Sequence, residues 1–278
     1  QLSVGSQIRR GLTSSEGILH YNQSGGTITV GTDGAPESNR GVLEILNDES
    51  SFSHTGGGLY IVRAQTNPTV ASLYLTPETA TFGEGTEIRL GHGSTPTGQD
   101  IGIYSNVTIP NLVVDNTSGN APTAKIWTVP LTIGDTLDIQ AGATFDANGL
   151  DLHLEGDLIA HGDYLPHGNT VYFEGTENQK IIGSPSFYKL TKPTGNTLSL
   201  SADITVNNQL HLEDGTLSDG GNTLHAKGDV WMDATHIWGG TGNGIQFDGT
   251  ALQLLQTSNG MATFGKLSIN NPGGADSV

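Results

Sequence analysis

The chain of 278 residues contains no cysteine. A disulfide scaffold, a cysteine-based metal site and a cysteine nucleophile are therefore excluded. Secretion stays open, because large bacterial surface proteins often fold without disulfides. No stretch approaches the roughly 20 consecutive apolar residues that a membrane helix needs, so we predict no membrane insertion.

Basic residues are also scarce. There are 11 lysines and arginines against 28 acidic residues, which gives a formal net charge of −17. The bases are scattered, as at Arg63, Lys125 and Lys227, and they form no patch in the sequence. A polyanion would be repelled, so nucleic acid and anionic membrane surfaces are poor partners. The acidity serves either solubility or the binding of cations on an acidic face.

Helical patterns are missing as well. No long run is both apolar at a spacing of about 3.6 residues and free of Gly, Pro and Asn. Glycine, in contrast, occurs 40 times. The apolar residues are mostly Leu, Ile and Val in short alternating clusters bounded by Gly, Asn, Asp, Ser and Thr, which is typical of many short strands joined by turns. We predict an all-β protein with essentially no α-helix.

One phrase recurs three times: "TIPNLVVDNTSG" at 108–119, "SFYKLTKPTG" at 186–195 and "TFGKLSINNPGG" at 263–274. Longer matches accompany it, since "LTIGDTLDIQAG" at 131–142 aligns with "ITVNNQLHLEDG" at 204–215. The offsets between matched positions give a period of about 75 residues, which covers the second part of the chain.

The segment 1–105 has a finer period. Its strand-like clusters follow one another at steps of about 15 residues. Short strands joined by turns of varying length, without hairpin-type tight loops, favour a coil of parallel strands over a meander. The clusters centre near Ile28, Leu43, Leu59, Leu73, Ile88 and Ile103.

These periods predict a right-handed parallel β-helix, an elongated solenoid that continues from irregular turns in 1–105 into the repeats of 106–278. Alternate side chains of each strand should point into a narrow core, where equivalent residues stack. Phe187 and Leu190 are three positions apart, so a corner at Tyr188–Lys189 is needed to turn both inward. The predicted core positions of the repeat are Leu112, Leu131, Ile133, Leu137, Ile139, Phe173, Phe187, Leu190, Ile204, Val206, Leu210, Leu212, Phe247, Phe264 and Leu267.

One short motif is similar to a catalytic signature. "GHGS" at 91–94 resembles the histidine-containing motif of polygalacturonase-type glycosidases, which share the β-helix fold. Those enzymes also need adjacent aspartates and an Arg-x-Lys sequence, and this chain has neither. A glycosidase needs two carboxyl groups flanking the scissile bond, and the nearest to this histidine are Glu84, Glu87 and Asp100. We predict no catalytic residue and no cofactor.

A cluster of acids offers a possible calcium site. Asp146, Asp151, Glu155 and Asp157 lie close enough in sequence to converge on one turn. Their spacing matches neither an EF-hand loop nor the glycine-rich nonapeptide of calcium-binding β-rolls. A solvated acidic face is therefore the favoured interpretation, with calcium as the alternative.

Histidine and tryptophan give two further candidates for binding. His153 and His225 occupy equivalent positions in the repeat, and His211 is also predicted to point outward, so equivalent histidines should form a row along the solenoid. A metal site is conceivable there, but no third ligand stands at a defined spacing. The tryptophans are Trp127, Trp231 and Trp238, which would either stack on sugar rings or lie buried in the core or at corners.

The repeat also resembles a known family. The segment "VYFEGTENQKIIGSPSFYKLTKPTG" followed by "LSLSADITVNNQLHLEDGTL" is similar to the repeat of very large secreted surface proteins of Bacteroidetes. The resemblance covers 106–278, and "FSHTGGGLYIVRA" at 52–64 is of the same type. It implies export by the type IX secretion system, an extracellular or cell-surface location, and for some members a role as adhesins in gliding motility. Two short matches to the O-glycosylation pattern of that phylum, Asp135-Thr136-Leu137 and Asp276-Ser277-Val278, point the same way.

The functional prediction is a non-catalytic structural and adhesive stalk within a large bacterial adhesin. Both ends of the chain look cut, so we expect a segment of a longer protein whose partners are neighbouring repeats, the type IX machinery during export and surface glycans. Two alternatives remain open. One is a carbohydrate-active β-helix enzyme, either a polysaccharide lyase or a glycosidase, and the other is a passive module that binds glycans or calcium.

Overall fold

The computed structural model describes residues 1–11, 17–35, 39–258 and 261–271. Within these ranges there is no helix, and parallel strands stack into a β-solenoid of about 11 turns. No described helix is therefore long and apolar enough to cross a membrane. The strands are β1 (Leu2–Val4), β2 (Ile8–Arg9), β3 (His20–Val30), β4 (Leu43–Ile61), β5 (Leu73–Phe82), β6 (Glu87–Leu90), β7 (Asp100–Ser105), β8 (Ile109–Val114), β9 (Thr123–Ile126), β10 (Leu131–Ile139), β11 (Thr144–Asp146), β12 (Leu152–Leu154), β13 (Asp157–Ala160), β14 (Asp163–Leu165), β15 (Thr170–Phe173), β16 (Gln179–Gly183), β17 (Ser186–Lys192), β18 (Thr197–Leu200), β19 (Ile204–Leu212), β20 (Thr216–Ser218), β21 (Thr223–Ala226), β22 (Asp229–Met232), β23 (Thr235–Ile237), β24 (Gly244–Phe247), β25 (Leu255–Gln256) and β26 (Leu267–Ile269).

Each turn crosses three faces, which we define by their columns of paired inward residues. Face A carries Ile28, Leu59, Ile88, Leu112, Leu137, Leu158, Ile181 and Leu200. Face B carries Leu131, Leu152, Val171, Leu190, Leu210, Val230 and Leu255. Face C carries Leu43, Leu73, Ile103 and Ile126 in the first part, and Phe187, Val206, Ala226, Phe247 and Ile269 in the second.

The alternation of the sequence explains the strands. In β19, Leu210 and Leu212 are buried in the core while His211 between them faces outward. Parallel pairing with the turns above and below satisfies the backbone N–H and C=O groups, and the inward side chains of successive turns stack on one another. The predicted all-β parallel solenoid is confirmed.

The fine period of the first part corresponds to half a turn. Leu43 pairs with Leu73 and Leu73 with Ile103 on face C, so one turn there runs from each of these residues to the next. The intervening clusters, such as Leu59 and Ile88, form the column on face A. Later turns are shorter, since Leu152 pairs with Val171 and one turn there covers only 152–170.

The long repeat does not stack on itself, contrary to our expectation. Leu131 lies on face B and its sequence equivalent Ile204 on face C. The three copies of the recurring phrase likewise place Leu112 on face A, Leu190 on face B and Leu267 on face C. One repeat is thus a single face short of four turns, because the turns of this region need only about 20 residues each.

Most predicted core positions are buried, with two exceptions at the last described turn. Phe264 is only partly buried against the core, and Leu267 is 39% exposed. Leu267 pairs below with Ile245, and no described strand covers it from above. The buried positions are Leu112, Leu131, Ile133, Leu137, Ile139, Phe173, Phe187, Leu190, Ile204, Val206, Leu210, Leu212 and Phe247.

The predicted corner at Tyr188–Lys189 is present. Phe187 belongs to the column of face C and Leu190 to the column of face B, and both are buried. The register of β17 against β19 shifts between Phe187 and Lys189, which lets one strand bend from face to face without a loop.

At two equivalent corners of the repeat, successive backbones come into contact. A Cβ atom added to Gly156, between faces B and A, would lie 1.8 Å from the carbonyl oxygen of Asp135. At Gly228, between faces C and B, an added Cβ atom would lie 1.8 Å from the carbonyl oxygen of Asn208. Neither glycine has a positive φ angle. These glycines are therefore required by the close approach of the turn below and not by their backbone angles.

Candidate functional site

A groove lies on face C and offers a concave site. Its floor is formed by Gly102 and Lys125, two outward positions on β7 and β9, and Trp127 stands directly after β9. The segments Ala64–Val70 and Gly98–Asp100 form its walls, and its volume is about 570 Å³. We call it the face C groove. Its volume lies in the range of small-molecule and oligosaccharide sites.

Hydrogen bonds fix both walls of the face C groove. The side-chain oxygen of Gln99 accepts the backbone N–H of Ala64 at 2.8 Å and so ties one wall to the other. Within the longer wall, the Asn67 side chain accepts the backbone N–H of Thr69 at 3.0 Å. The hydroxyl of Ser72 accepts the N–H of Gln65 at 2.9 Å. A ligand therefore meets walls that are already ordered.

Aromatic side chains continue from the groove along face C. Tyr74 pairs with Tyr104 in the outward row, and their ring centroids are 4.4 Å apart. Trp127 follows Ile126, which pairs with Ile103, so the indole occupies the same row one turn beyond Tyr104. All three aromatic side chains are half-buried, and burial raises the pKa of Tyr74. This row is an aromatic strip with one side open to solvent.

The charges of the face C groove largely cancel. The ammonium of Lys125 lies 3.3 Å from a carboxylate oxygen of Asp146, which stands outward on the next turn. Asp100 is exposed at the rim. The groove thus combines aromatic faces, amide groups and a neutralised cation. Such a set can hold a ligand rich in hydroxyl groups by stacking and hydrogen bonding.

Histidines form a row on face B, but it differs from the predicted one. Pairing places His153, Tyr172, Thr191, His211 and Trp231 in one outward row. The His153 and Tyr172 rings stack at 4.8 Å with an interplanar angle of 5°, and the His211 and Trp231 rings are 5.3 Å apart.

His225, the sequence equivalent of His153, lies on face C between Thr205 and Gln246. The rotation of the repeat by one face separates the two equivalent histidines. What they share is a carboxylate one turn further on. The Nδ1 atom of His153 lies 2.9 Å from Glu174, and that of His225 lies 2.7 Å from Asp248. These pairs join successive turns.

The third tryptophan lies near the last described turns. Trp238 follows β23 and is 39% exposed, and its indole N–H donates to the carbonyl of Thr241. The ammonium of Lys266 lies 5.1 Å from the centre of its ring. Its face is thus already in contact with a cation, unlike that of a free stacking platform.

The four acids of the possible calcium site do not converge. Asp146 pairs with Lys125, Asp151 accepts the N–H of Thr170 and Asp157 accepts that of Lys180. Glu155 and Asp157 both line an acidic groove of about 530 Å³, which contains neither Asp146 nor Asp151. Among the described residues, no three His, Asp or Glu side chains are placed to hold a metal ion. Asp276-Ser277-Val278, one of the two glycosylation matches, lies outside the described residues.

The GHGS segment forms a turn. His92 shares a 2.9 Å hydrogen bond with the hydroxyl of Ser94, and its ring packs edge-on against Tyr60 at 5.3 Å. Of the acids nearest in sequence, Glu87 bonds to Arg89 at 2.6 Å, and Asp100 belongs to the face C groove. The motif therefore does not assemble a carboxylate pair around the histidine.

Face A carries a polar cluster that spans several turns. Arg89 bonds to Glu87 on its own strand and to Asp115 one turn further on, at 2.6 and 2.8 Å. Burial alone would raise the pKa of Asp115, but hydrogen bonds from Thr117 and Arg89 outweigh it, so the pKa is lowered. Asp138, the outward residue between Val113 and Ile159, has a raised pKa because of burial.

Two buried ionisable groups were not predicted from the sequence. His236 takes an inward position on face A above Leu217, where its Nε2 lies 3.0 Å from the buried carboxylate of Asp219. Lys192 is fully buried, and burial lowers its pKa to about 8. Its ammonium donates to Asn196, among other acceptors, at 2.8 Å. For both His236 and Lys192, the only sign in the sequence is a polar residue at a position where the alternation predicts an apolar one.

The three-faced stack of parallel strands defines the chain as a parallel β-solenoid. No protein-family model, curated protein or solved structure matches it.

Proposed function

We propose that the chain is a non-catalytic structural and adhesive segment, a stalk, of a large bacterial cell-surface adhesin. The observation that supports this most is the unbroken inward column of face A, which runs from Ile28 to Leu200 through paired strands. About 11 turns at a strand spacing of about 4.8 Å give a rod of about 50 Å.

The mechanism is cumulative. Every turn buries apolar side chains against both neighbours and pairs its strands on either side, so length is gained without loss of stability. The net charge of −17 keeps such a rod soluble and separate from other copies. The resemblance of the repeat to giant Bacteroidetes surface proteins supports type IX export, an extracellular location and use in gliding or surface attachment.

The test uses cells that carry the gene. An antibody raised against the chain should label intact cells, and an in-frame deletion of residues 1–278 should reduce attachment to a surface while the rest of the protein is still exported. Labelling only after permeabilisation, or unchanged attachment of the deletion strain, would contradict the proposal.

A carbohydrate-active enzyme is the second candidate, and Asp138 is the observation that favours it. A carboxyl group with a raised pKa on the same face as Arg89 and Asp115 resembles a general acid. The chain would then release reducing ends or unsaturated products from acidic polysaccharides, and Asp138→Asn would abolish that release. Under the stalk proposal, we expect no release of products from the unmodified chain or from Asp138→Asn.

A further inference from the structure

We propose that the face C groove binds an uncharged oligosaccharide, with Trp127 as the stacking platform. This rests on the adhesive function proposed above, because it names the surface that makes the contact. In this groove a concave surface, a half-buried tryptophan and several polar groups meet.

The indole of Trp127 is available to a ligand. Its backbone is fixed by the hydrogen bond from its N–H to the carbonyl of Ile103 at 2.7 Å, while no hydrogen bond engages its side-chain N–H within the described residues. Trp231 differs, because its indole N–H already donates to Asp233 at 3.0 Å. A sugar ring stacked on Trp127 would thus gain both an aromatic face and a donor at its edge.

The charge of the groove selects the ligand. Lys125 is paired with Asp146, Asp100 stands exposed at the rim, and the whole chain carries −17. An anionic polysaccharide would be repelled by this field and would find no free cation among the described lining residues, whereas hydroxyl groups can bond to the amide, ammonium and carboxylate groups. The strip of Tyr74 and Tyr104 extends the apolar surface by two turns, which suits a chain of sugars better than a single one.

The experiment measures binding of the purified chain to xyloglucan, galactomannan and mixed-linkage β-glucan, with pectate and alginate as anionic probes. Affinity electrophoresis and calorimetry are run with and without a chelator. We expect binding to at least one uncharged polymer, unaffected by chelation, and a loss of roughly tenfold or more in affinity for Trp127→Ala. The matched control is Trp231→Ala, a half-buried outward tryptophan on face B, which should bind like the unmodified chain.

A second measurement keeps the proposal testable if the Trp127→Ala variant does not fold. The chain has three tryptophans, so Trp231→Phe together with Trp238→Phe leaves Trp127 as the only one. Its emission should shift on addition of the bound polymer. No shift, binding to pectate or alginate alone, chelator-sensitive binding, or equal affinity of Trp127→Ala and Trp231→Ala would overturn the inference.

The two proposals fail in different ways. If the in-frame deletion abolishes attachment but Trp127→Ala introduced into the full-length protein leaves it unchanged, the stalk stands and the groove assignment falls. If the groove binds a polymer and the chain also cleaves it, the non-catalytic function falls and the groove stands.

Discussion

At the residue scale, one glutamine per repeat fastens a corner between two faces. The amide of Gln179 donates to the carbonyls of Leu154 and Gly156 on the turn below, and its oxygen accepts the N–H of Gly175. Gln253, the equivalent residue 74 positions later and one face further round, makes the same three kinds of contact. The side chain thus satisfies backbone groups at the bend, although the carbonyl of Leu154 also accepts the N–H of Glu174 from the next turn.

Replacing Gln179 by alanine should lower the free energy of unfolding by about 2 kcal/mol, because the N–H of Gly175 and the carbonyl of Gly156 lose this partner, while the carbonyl of Leu154 keeps the N–H of Glu174. Urea unfolding followed by circular dichroism measures this. Gln209→Ala, at a half-buried outward position of β19, serves as the control and should change stability by less than about 0.5 kcal/mol. Equal effects of the two substitutions would show that the hydrogen bonds of Gln179 do not stabilise the corner.

Two buried histidines should make stability depend on pH. Burial lowers the pKa of His54 and of His236, although Asp219 partly opposes this at His236. In the unfolded chain these imidazoles titrate near about 6.5. Just below that pH the unfolded chain binds more protons than the folded one, so the free energy of unfolding decreases as pH falls.

We expect the urea midpoint to fall only slightly between about pH 8 and 7, where the lowered pKa of Lys192 contributes, and to decrease more steeply from about pH 6.5 towards 5. His54→Gln, which can still donate to the carbonyl of Gly57, should flatten part of that slope. A midpoint that rises on acidification in this range would show that other groups dominate.

At the scale of the element, each corner is set by how closely successive backbones approach. Gly156→Ala should lower the free energy of unfolding by at least about 3 kcal/mol, because the new Cβ would overlap the carbonyl oxygen of Asp135. Gly25→Ala is the matched control, since nothing lies within 4 Å of a Cβ there and its φ is not positive. Thermal unfolding of both variants measures the difference, and similar melting temperatures would refute the steric argument.

The strands and the corner at Tyr188–Lys189 were predictable from the sequence, while the lengths of the other corners were not. Alternation identifies inward residues such as Leu210 and Leu212 because burial on one side of a strand selects every second side chain. The rotation of the repeat was not predictable, because a sequence period counts residues per repeat and says nothing about residues per turn. Corner length decides the latter, and it varies from the short bend at Tyr188 in β17 to the longer segment between Phe173 and Gln179.

The candidate site was also hard to predict, because the number of residues per turn cannot be read from the sequence. Trp127 was recognised as a possible sugar platform, and its neighbourhood follows only from pairing across turns. Lys125 and Gly102 are well separated in sequence and adjacent in the stack. The wall that carries Pro68 comes from a different turn again. Without the turn length, these contacts cannot be inferred.

At the scale of the whole molecule, the turn is the unit that can be removed. Deleting 152–170 removes the stretch from Leu152 up to its pairing partner Val171, so every later strand keeps its face. We expect a cooperative fold with only one turn's share of stability lost. Deleting 152–160 removes about half a turn and shifts every later residue to a wrong face, so that chain should not unfold cooperatively in urea. Equal behaviour of the two deletions would contradict the stack.

Each repeat is one face short of four turns, and this rotation has a consequence for how the rod contacts a surface or another molecule. Leu112, Leu190 and Leu267 mark three copies of one phrase, and they sit on the three different sides of the rod. Outward side chains of that phrase therefore follow a helical path around the long axis of the solenoid. An object long enough to span all three copies meets one of them whichever face it approaches, so contact with this phrase needs no rotational alignment.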